Sequence, residues 1–234
     1  MIKIENYDVV GWEHAIRGMR NPMNSWEKSD SGYCQRDFLR DCRTCVHGPF
    51  DTCWRKGYDI GPNDYKLMKS LRESGTDHRK FMRMITVYLD IVSPLYFLKE
   101  LDTYKVGTVA NSCSTMHKIT EKEFVLDDFS HEHLGDKEKQ ILLTIVEAMN
   151  ESRDAFVTWN EDYKHDKKDY WWQIIQLLPS SYNQKRTIML NYEVLANIYK
   201  SRKDHKLDEW RDFCKWIKTL PYSELITGEY DNGY

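Results

Sequence analysis

The amino-acid sequence predicts an α+β fold in a single domain, with a sheet flanked by helices. Two patterns support this prediction. Segments 1–10 and 81–91 alternate apolar and polar residues, which is the period of a half-buried strand. Segments 136–159 and 180–220 instead repeat apolar residues every three to four positions, which is the period of an amphipathic helix. The chain has 234 residues, so it is long enough for one large domain that buries roughly 70% of its unfolded surface.

Charge and hydropathy exclude several classes of protein. The net charge is only −3, so neither a polybasic nucleic-acid surface nor a membrane-binding surface is expected. The sequence has no apolar run close to the roughly 20 residues that a membrane-spanning helix needs. The first ten residues lack the apolar core of a signal peptide, so a cytoplasmic protein is expected.

Two helices are predicted in the first third of the chain, after the strand at residues 1–10. One runs from Trp12 to about Met19, where Asn21-Pro22 ends it. The other covers residues 62–74, with its apolar residues on one face.

A strand over 81–91 and a helix over Leu95–Leu101 are predicted next. Ser93 is expected to cap this helix, because serine accepts hydrogen bonds from the first helical amides. Pro94 is expected at the first helical position, where its missing N–H costs nothing.

The second half of the chain is predicted to be mostly helical. A long helix runs from Asp136 to about Trp159, with an inward stripe expected at Ile141, Leu142, Ile145, Val146, Met149 and Phe156. Residues 180–220 are expected to form two amphipathic helices around the polar turn 200–205, the first of them including Leu190. The chain from Tyr222 onward is expected to be a mobile tail.

Residues 29–61 form a polar segment without a sustained period, and four cysteines fall within it: Cys34, Cys42, Cys45 and Cys53. The Cys42-x-x-Cys45 pair is typical of a zinc knuckle, and a metal would order a segment that buries little apolar surface. The spacing of the other two cysteines does not repeat that pair. Structural zinc, reduced thiols and disulfides therefore remain open alternatives.

The segment 105–118 concentrates groups that bind anions. It contains five hydroxyls or amides, one thiol, one histidine and two lysines. Successive small polar residues can present backbone and hydroxyl donors to a phosphate, so an anion- or nucleotide-binding loop is one interpretation and an ordinary polar strand and loop is the other. Cys113, within this segment, is a candidate reactive thiol, whereas Cys214 on an apolar helix face is expected to serve packing.

The C-terminal segment carries an ordered set of polar residues, Asn-x-x-x-Leu-x-Asn-x-x-x-x-Arg-x-x-His/Lys, followed by a helix that contains a tryptophan. This pattern resembles the C-terminal motif of ThyX, the flavin-dependent thymidylate synthase family. The resemblance assigns FAD contacts to Asn191, Glu193, Asn197 and either His205 or Lys206. It assigns to Arg202 a contact with the uracil of dUMP. The sequence Ala15-x-Arg17-x-x-Arg20 also resembles a motif near the family's N-terminus, although two arginines one turn apart usually belong to a solvated helix face.

The central strand and helix also resemble ThyX. His78 lies in the turn before the strand, where the family has a histidine that helps hold FAD. Register from Pro94 then assigns substrate-binding positions to Lys99, Glu100, Lys105, Thr108, Asn111 and Ser114.

Three departures from the family pattern bear on ligand binding. The signature Arg-His-Arg-x-x-Ser corresponds here to residues 103–108, in which only Lys105 keeps a positive charge. Glu193 stands where the family usually has arginine, and Ile175 stands where it has an arginine that binds dUMP. Each lost guanidinium removes charge-assisted hydrogen bonds to phosphate.

The resemblance implies one ThyX-like domain over 1–234, with an antiparallel sheet, the insertion 29–61 and a homotetrameric assembly. The implied activity is FAD-mediated one-carbon transfer from methylenetetrahydrofolate to dUMP, with NADPH as a further co-substrate and Arg202 polarising the uracil. Two alternatives are a ThyX-like protein that binds a nucleotide without flavin chemistry and a sister enzyme that modifies another pyrimidine nucleotide.

Overall fold

The computed structural model describes residues 2–34 and 58–230, which fold into an α+β structure. The described residues contain these strands and helices: β1 (Lys3–Val10), α1 (Trp12–Arg20), β2 (Gly32–Tyr33), β3 (Tyr58–Asp59), α2 (Pro62–Glu73), β4 (Thr86–Pro94), α3 (Leu95–Leu101), β5 (Val109–Ser112), α4 (Asp136–Val157), α5 (Lys167–Leu177), β6 (Asn183–Asn191), α6 (Tyr192–Arg202), α7 (Asp208–Ile217) and α8 (Glu224–Thr227). Within these ranges, no helix is both long and apolar enough to cross a membrane.

The main sheet has four strands in the order β1-β4-β6-β5. Strands β4 and β6 alternate: Val87, Leu89 and Ile91 are buried on one face of β4, as Ile188 and Leu190 are on β6, because successive side chains of a strand point to opposite faces. A separate antiparallel pair joins β2 to β3, with Gly32 opposite Asp59. The predicted fold class, an antiparallel sheet flanked by helices, is confirmed.

The described chain divides into two compact units. The first draws on Met1–Glu5, Asp90–Thr103 and Ala110–Thr187. Its apolar core joins α4 and α5 to the segment between β5 and α4, through Ile119, Phe124, Phe129, Leu142, Val146, Met149 and Ile174. Ile141, predicted to face inward, is instead 52% exposed. It precedes the buried stripe Leu142–Val146–Met149 by one residue, and one residue turns a helix by about 100°.

The second unit draws on Asn6–Leu89, Tyr104–Val109 and Ile188–Tyr234. Helix α1 packs into it through Trp12, Ala15, Ile16 and Met19, all buried, at the spacing of one helix face. The indole of Trp12 meets the ring of the buried Tyr192 edge-on, with 5.4 Å between ring centroids. Each buried ring of this size removes a large apolar area from water.

Asp64 of α2 is a buried carboxylate that accepts hydrogen bonds from two other segments, α1 and residues 29–31. It accepts hydrogen bonds from Arg20 Nε at 2.6 Å, Ser29 Oγ at 2.7 Å and Ser31 Oγ at 2.6 Å. The backbone amides of Asp30 and Ser31 each donate to it at 3.1 Å. Arg20 is therefore buried and structural, which corrects the expectation that it lies on a solvated helix face, whereas Arg17 is exposed.

The turn between β1 and α1 requires glycine. Gly11 has φ of +96°, and a Cβ atom there would lie 2.1 Å from the carbonyl oxygen of Met84. No other residue avoids both the left-handed strain and this collision with backbone.

Three predicted boundaries were wrong around the central strands. Strand β4 begins at Thr86, because residues Lys80–Arg83 form a 3₁₀ turn. Ser93 does not cap α3: Pro94 holds the cap position, and the buried Ser93 hydroxyl has no hydrogen-bond partner in the described chain. Leu190 lies in β6 and not in a helix, since α6 begins only at Tyr192.

The segment beyond Tyr222 is also ordered up to residue 230, which corrects the prediction of a mobile tail. Leu225 and Ile226 of α8 are 0% and 1% exposed. Arg72 of α2 donates hydrogen bonds to their carbonyl oxygens at 3.3 Å each. A short helix thus buries its apolar pair although the surrounding sequence is polar.

Candidate functional site

The junction between β6 and α6 fixes Asn191. Its side-chain oxygen accepts a hydrogen bond from the backbone amide of Val194 at 3.0 Å, so it caps α6. The amide of Tyr192 donates to the carbonyl of Ile85 at 3.0 Å. A cap of this kind stabilises a helix by about 0.5–2 kcal/mol, which makes the position of Asn191 part of the fold.

The altered signature segment lies against this helix start. Gly107 has φ of +82°, and a Cβ on it would be 3.0 Å from Asn191 Nδ2 and 3.3 Å from a methyl of Val194. The N-terminus of a helix carries a partial positive charge, so it favours anionic or electron-rich ligands. The hydroxyl of Thr108 is buried and has no hydrogen-bond partner among the described residues. Lys105 is exposed on the same segment.

Arg202, at the end of α6, lies against two aromatic rings. Its Nε donates to the hydroxyl of Tyr104 at 3.0 Å. The guanidinium carbon lies 4.9 Å from the ring centroid of the buried Trp210 and 5.7 Å from that of Tyr104. These contacts restrict the plane of the guanidinium. The ring of His205 also lies beside the Trp210 indole, with 6.4 Å between ring centroids. A planar cation held in one orientation suits recognition of a planar acceptor.

Arg79 connects two residues predicted to contact a cofactor. Its Nε lies 2.8 Å from Glu193 Oε2, and its Nη2 donates to Glu193 Oε1 at 3.0 Å. The same Nη2 lies 3.5 Å from Asn197 Oδ1. Glu193 is only 7% exposed. The residue that departs from the family pattern is therefore paired with Arg79 by one hydrogen bond and one close charge contact, because Arg79 Nε and Glu193 Oε2 are not aligned for a second hydrogen bond.

Two other predicted cofactor positions of the second unit are at the surface. His78 is exposed in the turn before the 3₁₀ segment, where its backbone amide donates to Gly75 at 3.1 Å. Lys206 is exposed, and His205 is half-buried with its Nδ1 accepting from the amide of Leu207 at 3.2 Å.

The other predicted substrate positions belong to the first unit. Lys99 is exposed near the end of α3, and the carbonyl of Glu100 accepts from Thr103 Oγ1 at 2.7 Å. Asn111 is exposed on β5. Ser114 Oγ accepts from the amides of Met116 at 3.2 Å and His117 at 3.0 Å, which closes a local turn. The structure thus places Ser114 in a polar turn and Asn111 on an exposed strand.

A cleft of about 670 Å³ adjoins that turn. Its lining residues are Met116, His117, Thr120, Phe156, Lys167, Lys168 and Trp171. Lys167 Nζ lies 4.7 Å from the centroid of the Phe156 ring, and the Trp171 indole donates to the carbonyl of Met116 at 3.0 Å.

Ile175, which stands at a position where the family binds dUMP through arginine, packs against the apolar core of the first unit. Gln173 is not a replacement for that arginine, because its side-chain oxygen accepts from Ser152 Oγ at 3.0 Å. This contact of the family is therefore not reproduced at either position.

The cysteine cluster can be followed only in part. Cys34 is a free thiol, while Cys42, Cys45 and Cys53 lie outside the described residues. Residues 2–34 and 58–230 contain no group of side chains that could hold a metal. Cys113 is an exposed free thiol. Burial raises the pKa of Cys214 to about 11, which agrees with its predicted packing role.

Three residues of these clusters were missed from the sequence: Arg79, Tyr104 and Trp210. A signal for Arg79 existed, because an acidic residue at the buried position 193 requires a nearby cation. Tyr104 stands at the histidine position of the degenerate signature, where it was interpreted only as a lost charge. Trp210 was assigned to packing alone, although an indole face also binds cations.

Comparison with solved structures finds proteins of similar fold. The chain is similar to a crystal structure of the flavin-dependent thymidylate synthase ThyX from Helicobacter pylori complexed with FAD and dUMP. The identity is 16% and the TM-score 0.59, over 96% of this chain and 95% of that one. A second ThyX structure from that organism, with FAD and dUMP, gives 15% identity, TM-score 0.59 and coverage of 96% and 94%.

A third similar structure is the UMP/dUMP methylase PolB from Streptomyces cacaoi, bound with 5-Br dUMP. It shares 12% identity and a TM-score of 0.55, with coverage of 97% of this chain and 95% of that one. No family model and no curated protein sequence matches this chain. The chain therefore has a ThyX-like fold over nearly its whole length.

Proposed function

We propose that this chain binds a uridylate and catalyses flavin-dependent transfer of a one-carbon unit to its pyrimidine ring. The observation that carries the proposal is the fixed orientation of Arg202, between Tyr104 and Trp210, in a fold that resembles dUMP-bound enzymes. A guanidinium preset in its plane loses little conformational entropy when it binds a planar ring.

Arg202 acts on the pyrimidine without forming a covalent bond. Its N–H groups donate to a carbonyl oxygen of the uracil and stabilise the negative charge that develops there as the ring reacts. Tyr104 accepts a hydrogen bond from Arg202 Nε at 3.0 Å. This contact makes Tyr104 a positioning residue, because it helps to fix the orientation of the guanidinium.

The residues around Asn191 fit a flavin. The Thr108 hydroxyl is buried without a partner among the described residues, so a bound ligand can satisfy it. Beside it, the backbone of Gly107 packs closely against Asn191, since a Cβ on residue 107 would lie 3.0 Å from Asn191 Nδ2. Asn191, Glu193, Asn197 and His78 would hold the cofactor, with His205 and Lys206 near the end of α6. A bound FAD supplies the redox step that converts the transferred one-carbon unit into a methyl group, with methylenetetrahydrofolate as donor and NADPH as reductant.

Lys99, Glu100, Lys105, Asn111 and Ser114 are the proposed substrate-binding positions besides Arg202 and Thr108. Within the stretch 103–108 only Lys105 is cationic, so the uridylate phosphate is held with less charge than an Arg-His-Arg segment would supply. We expect weaker phosphate recognition than in a chain with the complete signature.

Two other functions are candidates. The first is methylation of UMP in place of dUMP, and the second is nucleotide binding without catalysis. The similarity to the UMP/dUMP methylase PolB favours the first of these. The neutralisation of Glu193 by Arg79 and the loss of cations around Tyr104 favour the second.

One set of measurements on purified protein tests the proposal. Visible absorption after reconstitution with FAD reports a bound flavin. Calorimetry with UMP and with dUMP reports the preferred nucleotide, and mass spectrometry of the nucleotide after turnover with methylenetetrahydrofolate and NADPH reports methylation. We expect a flavin spectrum and a 14-dalton gain on one uridylate (one added methylene, a general feature of C5 methylation). Uridylate binding without a flavin spectrum would leave only the binding function.

The assembly is part of the proposal. We propose a homotetramer, in keeping with the aromatic-rich composition of 8 Trp, 15 Tyr and 8 Phe, since such side chains are enriched at interfaces. Light scattering of the purified protein is expected to give about four times the monomer mass of 28.1 kDa. A stable monomer that binds its ligands with full affinity would refute this expectation.

A further inference from the structure

The pairing of Arg79 with Glu193 points to a binding role for Arg79. Arg79 Nη2 donates a hydrogen bond to Glu193 Oε1 at 3.0 Å, and Arg79 Nε lies 2.8 Å from Glu193 Oε2, close enough for an ion pair but not aligned for a second hydrogen bond. The side chains are 16% and 9% exposed. An arginine presents two edges, and this ion pair uses only the one formed by Nε and Nη2.

The other edge of Arg79 is directed elsewhere. Nη1 makes no hydrogen bond within the described parts of the chain, while Nη2 also lies 3.5 Å from Asn197 Oδ1. Because Glu193 holds the plane of the guanidinium, the position of Nη1 is set by the fold. Such a group is an oriented donor, which costs little entropy to use.

Charge decides which acceptor suits this donor. The carboxylate of Glu193 cancels the charge of Arg79, so the pair attracts a phosphate far less than a lone arginine would. A neutral carbonyl oxygen needs no net charge, only a well-placed N–H donor.

We infer that Arg79 Nη1 donates a hydrogen bond to a carbonyl oxygen of the flavin ring system, and that Glu193 is the residue that positions it. The inference rests on the proposed function, since it assumes that the ligand beside Asn197 is a flavin. It assigns to Arg79 a cofactor contact, and it gives Glu193 a role through Arg79 in place of a direct contact.

The test compares riboflavin with FAD, because riboflavin has the same ring and no phosphate. The variant is Arg79→Met/Glu193→Gln, which keeps the net charge and leaves no unpaired buried carboxylate. The matched control is Arg83→Met/Glu73→Gln, which makes the same chemical changes at two exposed positions. Binding is measured by quenching of flavin fluorescence below the unfolding temperature of each protein.

We expect the paired variant to weaken riboflavin and FAD by the same factor, about tenfold or more, because the lost hydrogen bond involves a charged donor. The control should stay within about twofold of the parent. A merely structural role would lower the unfolding temperature and leave both affinities unchanged.

Three results would overturn the inference. If the parent binds both flavins and the variant binds them equally well, Arg79 does not contact the flavin, and the proposed function is unaffected. A loss confined to FAD shows a phosphate contact and contradicts the carbonyl contact. If the parent protein binds neither flavin, both this inference and the flavin chemistry of the proposed function are wrong.

Discussion

Replacing Arg202 with alanine should weaken binding of the preferred uridylate by about thirtyfold or more, because a lost charged contact to a ligand costs about 2–4 kcal/mol. The fold should survive. Arg202 lies at the last position of α6 and is half-buried, so losing its contacts with Tyr104 and Trp210 should cost only about 1 kcal/mol of stability. Calorimetric titration of UMP and dUMP into FAD-loaded protein measures the first effect, and thermal unfolding measures the second.

The choice of control follows from the structure. Arg211 is unsuitable, because its Nη1 donates to the carbonyls of His205 at 2.9 Å and Lys206 at 3.0 Å and so holds the turn after α6. Lys200 is exposed on α6 itself, and Lys200→Ala should change affinity by less than about twofold. If Arg202→Ala binds the uridylate as the parent does, Arg202 serves the fold and the proposed catalytic role is wrong.

Asp64→Asn should be the most destabilising of the substitutions considered, with a loss of about 3–5 kcal/mol in the free energy of unfolding. The variant leaves the buried guanidinium of Arg20 without its counter-charge. Its amide N–H₂ must face either Arg20 or the serine hydroxyls, all of which donate to Asp64, so at least one of these hydrogen bonds is lost. Urea denaturation at neutral pH measures the loss.

The effect should depend on pH in one direction. Burial alone would raise the pKa of Asp64, but hydrogen bonds from Ser31, Ser29 and Arg20 outweigh it and hold the pKa below the usual value of 3.8. The carboxylate therefore contributes its full stability above 3.8, and that contribution is lost as the pH falls through the lower pKa of the folded state. The difference between parent and Asp64→Asn should shrink under strongly acidic conditions.

Glu73→Gln is the matched control for that experiment, since Glu73 is exposed on the same helix. We expect it to change stability by less than about 0.5 kcal/mol at any of these pH values. Equal losses in Asp64→Asn and Glu73→Gln would show that the buried carboxylate contributes nothing specific.

Regular periodicity accounts for the elements that were predicted correctly. Helices α1, α2, α3 and α4 begin within one residue of the predicted positions, because each carries an apolar stripe and because Pro62, Pro94 and Asp136 mark the starts of the last three. Strand β6 was missed for a physical reason. Its buried residues Gln184, Ile188 and Leu190 include a polar side chain, and the apolar residues of α6 follow without a break, so strand and helix merged into one helical pattern.

The sequence motif named residues of the candidate site but did not predict which other residues they contact. The resemblance of Asn191, Asn197 and Arg202 to the ThyX motif predicted that they contact a ligand, but a motif along one segment does not identify what meets it from elsewhere. The partners Tyr104 and Arg79 lie 98 and 114 positions away in sequence from the residues that they contact. Pairings over such distances arise from tertiary packing, which hydrophobic periodicity does not encode.

The two-stranded ladder of β2 and β3 has a consequence for how this chain tolerates change. Gly32 pairs with Asp59, Gly61 N donates to Ser31 Oγ at 2.9 Å, and Asp30 accepts from the amides of Asn63 at 2.9 Å and Asp64 at 3.0 Å. The two flanks of residues 35–57 are thus fastened to each other like the stem of a hairpin. Because the ladder joins the two flanks directly, the entropy cost of closing it grows only logarithmically with the number of residues between them. A change in that number should therefore leave the register of the ladder intact.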